Sequence, residues 1–314
     1  MPSPIRGSGT ADVSASNVPH ALDVVPVQAQ RSDSPGRLAL RRLIRHRLAV
    51  PGLVVIAIMI ILALLGDEFR AYDQNLRPGY TNRPPDGQFL LGTDALGRDI
   101  LSRLLVGGRI SIAVAFVSVA LATLIGTAVG VAAGFFGGRV DNVLMRVVDI
   151  VLSFPAILLL LVVSALVGPG VFTLMLIIAV VSWAPASRIV RGQILSLREA
   201  TFVEAARVIG VSDARMIRSH ILPNIVAPLI VFATFGVATV IIFEASLSYL
   251  GLGVQAPTPS WGNMLNVARS ITALEQYPWQ WVPPATFIVL MVLSVNFVGD
   301  GLRDALDQRA TSQR

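Results

Sequence analysis

The chain has 314 residues, of which 54% are hydrophobic and only 14% are charged, and this balance indicates a polytopic membrane protein rather than a soluble domain. All 25 basic residues are arginine, so the chain has no lysine for a phosphate-binding P-loop. It also has no cysteine, which excludes disulfides and thiolate metal sites. The net charge of +6 does not indicate nucleic acid, because the arginines gather at the ends of apolar runs.

The first third of the chain contains a tail, one apolar run and a polar segment. Residues 1–35 have no helical period and predict a disordered cytoplasmic tail. Residues 36–66 join a basic collar to the run Leu48–Gly66, which is long enough to cross a bilayer. Five arginines form the collar and predict that the N-terminus lies inside: Arg37, Arg41, Arg42, Arg45 and Arg47.

Residues 67–109 are more polar and predict a segment on the outer side of the membrane. Thr93 or Asp94 can cap a helix within it, and the apolar face of that helix predicts that it lies on the membrane surface. This face consists of Ile100, Leu101, Leu104 and Leu105.

Residues 110–309 predict a core of five further spans, followed by a short tail at 310–314. The expected spans are Ile110–Phe136, Val147–Val167, Val171–Ser187, Ile225–Tyr249 and Pro283–Gly299. In this topology 18 arginines lie inside and 7 outside. The apolar runs predict an all-α membrane protein with six transmembrane helices, and the imbalance supports this topology with both termini in the cytoplasm.

Small residues recur every fourth position in the second span. This stripe predicts the close approach of another helix. Its members are Ser118, Ala122, Gly126, Gly130 and Gly134.

Two acidic residues fall within the predicted spans. Asp149 lies near the inner end of the third span, where we expect it at the interface and paired with Arg146; an intramembrane functional acid is the alternative. Pro155, in the same span, predicts a kink. Glu244 follows an apolar stretch in the fifth span, and it is open whether its carboxyl group lines an outer gate or has a structural role.

A charged island interrupts the apolar runs between residues 201 and 223. Thr201 and Glu204 have the spacing of a capping box, which predicts a short helix that starts at Phe202. Gly210 suits the left-handed position that ends such a helix. We expect Phe202, Ala206 and Ile209 to share its apolar face. A helix this short is unstable alone, so it needs a protein surface on which to dock.

The island resembles the EAA loop of the membrane subunits of ABC importers. The resemblance rests on Glu204, Ala205 and Ala206, on Gly210, and on the string Ile221-Leu222-Pro223. His220 stands where the family usually has isoleucine, as is common in its peptide-transporting branch. The outer strings Leu91-Gly92-Thr93-Asp94 and Gly97-Arg98-Asp99 are similar to the dipeptide, oligopeptide and nickel importers, and within them to the C-type subunit of dipeptide permeases.

The resemblance implies a type I ABC importer permease fold with an EAA coupling loop at residues 196–223. It implies a non-catalytic, multi-pass subunit of the plasma or inner membrane, in contact with lipid, that forms half of a path for short peptides by alternating access. Implied partners are a second homologous permease, two ATPase subunits that bind ATP and magnesium, and an extracytoplasmic peptide-binding protein. No cofactor or metal is expected on this chain. The implied coupling residues are Thr201, Glu204, Ala205, Ala206, Gly210, Leu222 and Pro223.

Other functions compete with this one. Nickel and glutathione importers share these motifs and leave the cargo open. An ion-coupled secondary transporter is the alternative from another class, but paired acids at mid-membrane and an internal repeat are not evident. A membrane hydrolase is disfavoured because His20, His46 and His220 lie outside the predicted spans and the sequence contains no HExxH or GxSxG string.

Overall fold

The computed structural model describes residues 35–69, 73, 75 and 80–306. Within these ranges the regular structure is helical, and one isolated β-bridge joins Thr93 to Asp99. The predicted tails at 1–35 and 310–314 lie outside the described residues, apart from Pro35, which begins the first helix. The helices are α1 (Pro35–Arg45), α2 (Ala49–Leu64), α3 (Gly66–Phe69), α4 (Ile100–Phe136), α5 (Gly138–Leu152), α6 (Ala156–Val167), α7 (Val171–Ser182), α8 (Ala184–Arg198), α9 (Thr201–Val208), α10 (Asp213–Met216), a π turn (Ile217–Ile221), α11 (Leu222–Tyr249), α12 (Trp261–Met264), a 3₁₀ turn (Leu265–Arg269), α13 (Ile271–Gln276) and α14 (Pro278–Leu306).

Three continuous helical stretches of the described chain are long and apolar enough to cross a membrane. They are α4, the stretch Asp213–Tyr249 that ends in α11, and α14. Two bent pairs, α5 with α6 and α7 with α8, raise the count to as many as five, and α2 is a shorter apolar helix of 16 residues. The predicted all-α class is therefore observed.

The segment before residue 110 differs from the prediction. α4 is one helix of 37 residues that starts at Ile100, so the separate surface helix predicted within 67–109 is wrong. Asp99, rather than Thr93 or Asp94, caps it by accepting a hydrogen bond from the Ser102 amide at 2.8 Å. Asp94 instead accepts hydrogen bonds from the backbone and side chain of Arg98 in the preceding turn.

Packing explains why α4 continues through the predicted boundary. A Cβ atom on Gly108 would lie 2.9 Å from the ring of Trp261, so this glycine allows the indole to approach. Arg109 donates hydrogen bonds to the carbonyls of Ala63 and Leu64, at 3.1 and 2.9 Å, and so satisfies the C-terminal end of α2. These polar positions serve neighbouring elements and do not end the helix.

The third predicted span is broken rather than kinked. α5 and α6 meet at 86° on either side of Pro155. Proline has no amide hydrogen, so it cannot donate the helical hydrogen bond to the carbonyl of Val151.

The fourth predicted span is also bent, by 42° between α7 and α8. The helix does not end at the predicted boundary of Ser187, because Pro185 lies in the first turn of α8, where a missing amide hydrogen is tolerated. α8 then runs on to Arg198 and leads directly to the charged island.

The small-residue stripe of α4 lies against α7 and α8. A Cβ atom on Gly126 would lie 2.5 Å from the Cβ of Ala186, and one on Gly130 would lie 2.6 Å from the carbonyl oxygen of Ser187. Only glycine allows the backbones of α4 and α8 to come this close. All five stripe residues are buried: Ser118, Ala122, Gly126, Gly130 and Gly134.

Candidate functional site

The EAA loop (196–223) contains α9, α10 and the π turn that leads into α11. α9 begins at Thr201, one residue earlier than predicted, and spans eight residues. The amides of Val203 and Glu204 both donate to the carbonyl of Ala200. Thr201 is therefore inside the helix and not at its cap position, so the predicted capping box is wrong.

One face of α9 packs on the rest of the protein. Val203 and Ala206 are buried in an apolar cluster with residues of α4, α8, α10, the π turn and α11. Their partners in this cluster are Phe135, Val190, Ile194, Met216, Ile221 and Ile225. The face that packs on the rest of the protein is thus made by Val203 and Ala206, so Ala206 does not share the exposed side of Phe202 and Ile209 as predicted.

The other face of α9 is apolar and exposed. Phe202 is 45% exposed, Val208 87% and Ile209 79%. The Phe202 ring lies 6.4 Å from the ring of His220, centroid to centroid, which brings the two halves of the EAA loop together. Glu204 and Ala205 are also exposed. The loop therefore presents a small apolar surface beside a carboxylate.

Gly210 closes α9. Its φ is +79°, a conformation that residues with a Cβ atom rarely adopt. The next amide, that of Val211, donates to the carbonyl of Ala206 at 3.1 Å and satisfies an end carbonyl of the helix.

The second half of the loop enters α11 through a π turn. Pro223 has no amide hydrogen to donate to the carbonyl of Ser219. Just before it the helix has π geometry, in which the Leu222 amide donates to the Ile217 carbonyl five residues earlier. Asn224 donates its side-chain amide to the His220 carbonyl at 2.6 Å. Leu222 packs against the apolar cluster beneath α9. Pro223 is exposed.

Asp149 lies in the last turn of α5 and is half exposed. It pairs with Arg188 of α8, so the predicted pairing with Arg146 is wrong. α8 crosses α5 closely enough for a second ion pair, in which Arg191 binds both carboxylate oxygens of Asp141 at 2.5 and 2.6 Å. Two ion pairs thus join α5 to the helix that leads to α9.

Glu244 is completely buried near the far end of α11. Its carboxyl group accepts hydrogen bonds from Ser111 of α4 at 2.9 Å and from Ser248 of α11 at 2.8 Å. Ser111 also accepts from the Trp261 amide, and Ser248 from the Val254 amide. The group therefore ties two helices to the segment that follows α11. Sequence reasoning found the acid but not Ser111, which is 133 positions away.

Across the described residues, no group of three or more His, Cys, Asp or Glu side chains is arranged to hold a metal ion.

Apolar helices long enough to span a membrane, with a short helix between two of them that exposes apolar side chains, are the arrangement of a membrane transport permease, and the family match supports this class. Residues 126–312 match the binding-protein-dependent transport system inner membrane component family. Residues 34–85 match the N-terminal transmembrane domain of oligopeptide transport permease C. The first match covers more than half of the chain, so this chain belongs to the family of binding-protein-dependent inner membrane permeases. The resemblance seen in the sequence and the multi-pass membrane location are confirmed.

Individual relatives agree with this assignment. The chain is 40% identical to the dipeptide transport system permease protein of Alkalihalophilus pseudofirmus over 89% of its own length and 91% of the relative. It is also 40% identical to a glutathione transport system permease protein of Escherichia coli, over 92% and 96% of the two chains. Its fold is similar to a chain of the inward-facing MetNI methionine ABC transporter, with a TM-score of 0.53, 21% identity, and 66% and 97% of the two chains covered.

Proposed function

We propose that this permease forms half of the translocation path of an ABC importer and moves short peptides inward by alternating access. A homologous permease supplies the other half, two ATPase subunits bind ATP and magnesium, and an extracytoplasmic binding protein delivers the peptide. The chain itself is not catalytic. In this arrangement the six spans are α2, α4, the two bent pairs, α11 and α14, with both termini in the cytoplasm.

The observation that carries the coupling role is the exposed apolar face of α9. Phe202, Val208 and Ile209 lie on or beside a helix of eight residues whose opposite face is already docked. Apolar side chains clustered on a short helix indicate a protein partner. A cleft on the ATPase subunit is the partner that fits, with Ala205 keeping the surface narrow and Glu204 beside it.

The path from this surface into the membrane is continuous. α9 follows α8 directly, and α8 is packed on α4 and joined to α5 by the two ion pairs at Asp141 and Asp149. Closure of the ATPase subunits therefore displaces α8, α4 and α5 together.

The cargo assignment rests on the relatives, which are named for dipeptides, for oligopeptides and for glutathione. All three cargoes are short peptides or a peptide derivative. Glutathione is the second candidate because one relative is named for it.

Co-purification tests the assembly. A tagged chain extracted from its native membranes in mild detergent should carry a second permease and P-loop ATPases, identified by mass. Isolation of the chain alone, under conditions that preserve a known ABC complex, would contradict the proposal. The cargo is then decided with the reconstituted complex, by measuring uptake of a labelled dipeptide with and without an excess of glutathione. Strong inhibition by glutathione would favour glutathione as the cargo.

A further inference from the structure

The helix α1, which precedes the first apolar helix, exposes an apolar edge beside a basic one. Leu40 is 55% exposed and Ile44 60%, and their spacing of four residues places them on one edge of the helix. Arg37, Arg41 and Arg45 have the same spacing, are exposed, and form a row next to that edge. This combination is typical of a helix that lies at a membrane surface.

Another side of α1 fixes the helix to the rest of the protein. Leu43 is buried in a small apolar cluster with Ala49 of α2 and with Leu302 and Ala305 of α14. A Cβ atom on Gly301 of α14 would lie 2.5 Å from the Cβ of Ala49, so α2 begins directly against α14. α1 is therefore held at the place where α2 and α14 meet.

The joint between α1 and α2 is short and ordered. α1 ends at Arg45 and α2 begins at Ala49, whose amide donates to Nδ1 of His46 at 3.2 Å. Nε2 of the same imidazole lies 3.5 Å from the Asp304 carboxylate of α14. Leu48, in the joint, is 52% exposed and adds an apolar side chain between the two helices. A joint this short keeps α1 at the level where α2 enters the bilayer.

The charge of this region has one sign. Between residues 35 and 66 the sequence has five arginines and no Asp or Glu. Asp300 and Asp304 of α14 lie near His46, but Arg303 accompanies them, so the region stays strongly positive. Clusters of about four to eight basic residues next to a spanning helix are typical of segments that bind anionic lipids.

We propose that α1 lies in the headgroup layer of the cytoplasmic leaflet, where its arginines bind the phosphate groups of anionic lipids and Leu40 and Ile44 contact the upper acyl chains. The inference goes beyond the proposed function and takes from it only the side of the membrane. Guanidinium groups suit phosphate because they donate two parallel hydrogen bonds to it. A lipid surface matches both edges of α1, whereas an acidic protein surface would match the arginines only.

Nitroxide-labelled lipids test the contact directly. Because the chain has no native cysteine, Ile44→Cys provides its only thiol for the fluorophore NBD. The complete complex is placed in nanodiscs of phosphatidylcholine and phosphatidylglycerol, and one of the two lipids carries a nitroxide near the head of its acyl chain. The unsubstituted complex, labelled in the same way, gives the background of the partner subunits.

We expect the phosphatidylglycerol nitroxide to quench the probe at Ile44 about fivefold more efficiently than the phosphatidylcholine nitroxide, the preference that one arginine near an anionic surface provides. High salt should reduce this preference by screening the charges. Ile58→Cys is the matched control, since Ile58 is 51% exposed on α2 and distant in sequence from the arginines; its probe should show no preference between the two lipids.

Neutral variants test the arginines themselves. Arg37→Gln combined with Arg45→Gln should bring the preference at Ile44 close to one. Arg139→Gln combined with Arg146→Gln removes the same charge from exposed positions of α5 and should leave the preference unchanged.

Two results would overturn the inference. Equal quenching of the Ile44 probe by both lipids would show that anionic headgroups are not bound, and no quenching by either would show that a protein partner covers α1. Neither readout requires transport, so a complex that shows this preference but takes up no peptide would contradict the proposed function alone.

Discussion

Glu244 acts as a junction between three parts of the chain. Its carboxyl group holds Ser111 and Ser248, and these serines in turn hold the backbone of the segment that follows α11. Complete burial and this set of partners favour the structural role of the two that the sequence left open.

Glu244→Ala should therefore destabilise the protein. The change leaves two buried serine hydroxyls without their acceptor, which costs about 2 to 4 kcal/mol in the free energy of unfolding. The melting temperature of the purified complex in detergent measures the effect, and Ser111→Ala should lower it as well, because it removes a donor to Glu244 and the acceptor of the Trp261 amide. An unchanged melting temperature together with altered uptake would favour the gating role.

Gly210 is the residue whose backbone conformation decides the shape of the EAA loop. Gly210→Arg forces a side chain into a left-handed conformation that costs about 1–2 kcal/mol, and it should abolish uptake while the chain still reaches the membrane. Uptake and membrane abundance are measured together. Gly192→Arg is the matched control, since Gly192 is an exposed helical glycine of α8 with open space around it. Full uptake by the Gly210 variant would remove the coupling role.

Residue-scale prediction succeeded where the chemistry was local. The turn at Gly210 depends on a glycine that can adopt positive φ, and the sequence shows that glycine directly. The partner of Asp149 depends on how α8 crosses α5, so the nearby Arg146 was chosen and the distant Arg188 was missed. The predicted capping box failed because the Ala200 carbonyl already starts α9 one residue earlier.

At the scale of elements, two ion pairs connect α5 to α8, and the proposed coupling depends on them. The pair between Asp141 and Arg191 is bidentate and largely shielded, whereas Asp149 and Arg188 are each 52% exposed. Exposed ion pairs contribute little to stability, and bidentate pairs contribute more.

Charge reversal tests whether the bidentate pair of Asp141 and Arg191 is needed for transport. Asp141→Arg and Arg191→Asp should each reduce uptake strongly, because each leaves two like charges facing each other. The double variant should recover a substantial part of it. The same exchange at Asp149 and Arg188 should have a smaller effect. Single reversals with normal uptake and normal membrane abundance would show that the pair is not needed for coupling.

The lengths of the apolar runs predicted where the helices lie better than where they break or continue. The run Ile225–Tyr249 corresponds to α11, and Pro283–Gly299 lies within the longer α14. The bend between α7 and α8 accompanies the packing of α8 on the small-residue stripe of α4, and the continuation of α4 depends on Trp261 and the end of α2. Neither kind of contact can be seen in a hydropathy pattern.

At the scale of the whole molecule, the six-span arrangement is tested by thiol accessibility. The absence of native cysteine means that single substitutions report position without a background from this chain. Gly87→Cys and Gln255→Cys, both at exposed positions, should react with an impermeant maleimide in intact cells. Gly192→Cys should react only after the membrane is permeabilised. Reaction of all three in intact cells would contradict the arrangement.

The uninterrupted length of α4 has a mechanical consequence. At about 1.5 Å per residue its 37 residues extend about 56 Å, well beyond the roughly 30 Å hydrocarbon core. Near its first residues Gly108 contacts the indole of Trp261, and near its last residues Phe135 packs in the apolar cluster with Val203 and Ala206 of α9. A tilt of about 10° in a rod of this length displaces one tip by about 10 Å relative to the other. If ATPase subunits bind at α9 as proposed, motion that begins there reaches the opposite surface through one helix with no intermediate joint.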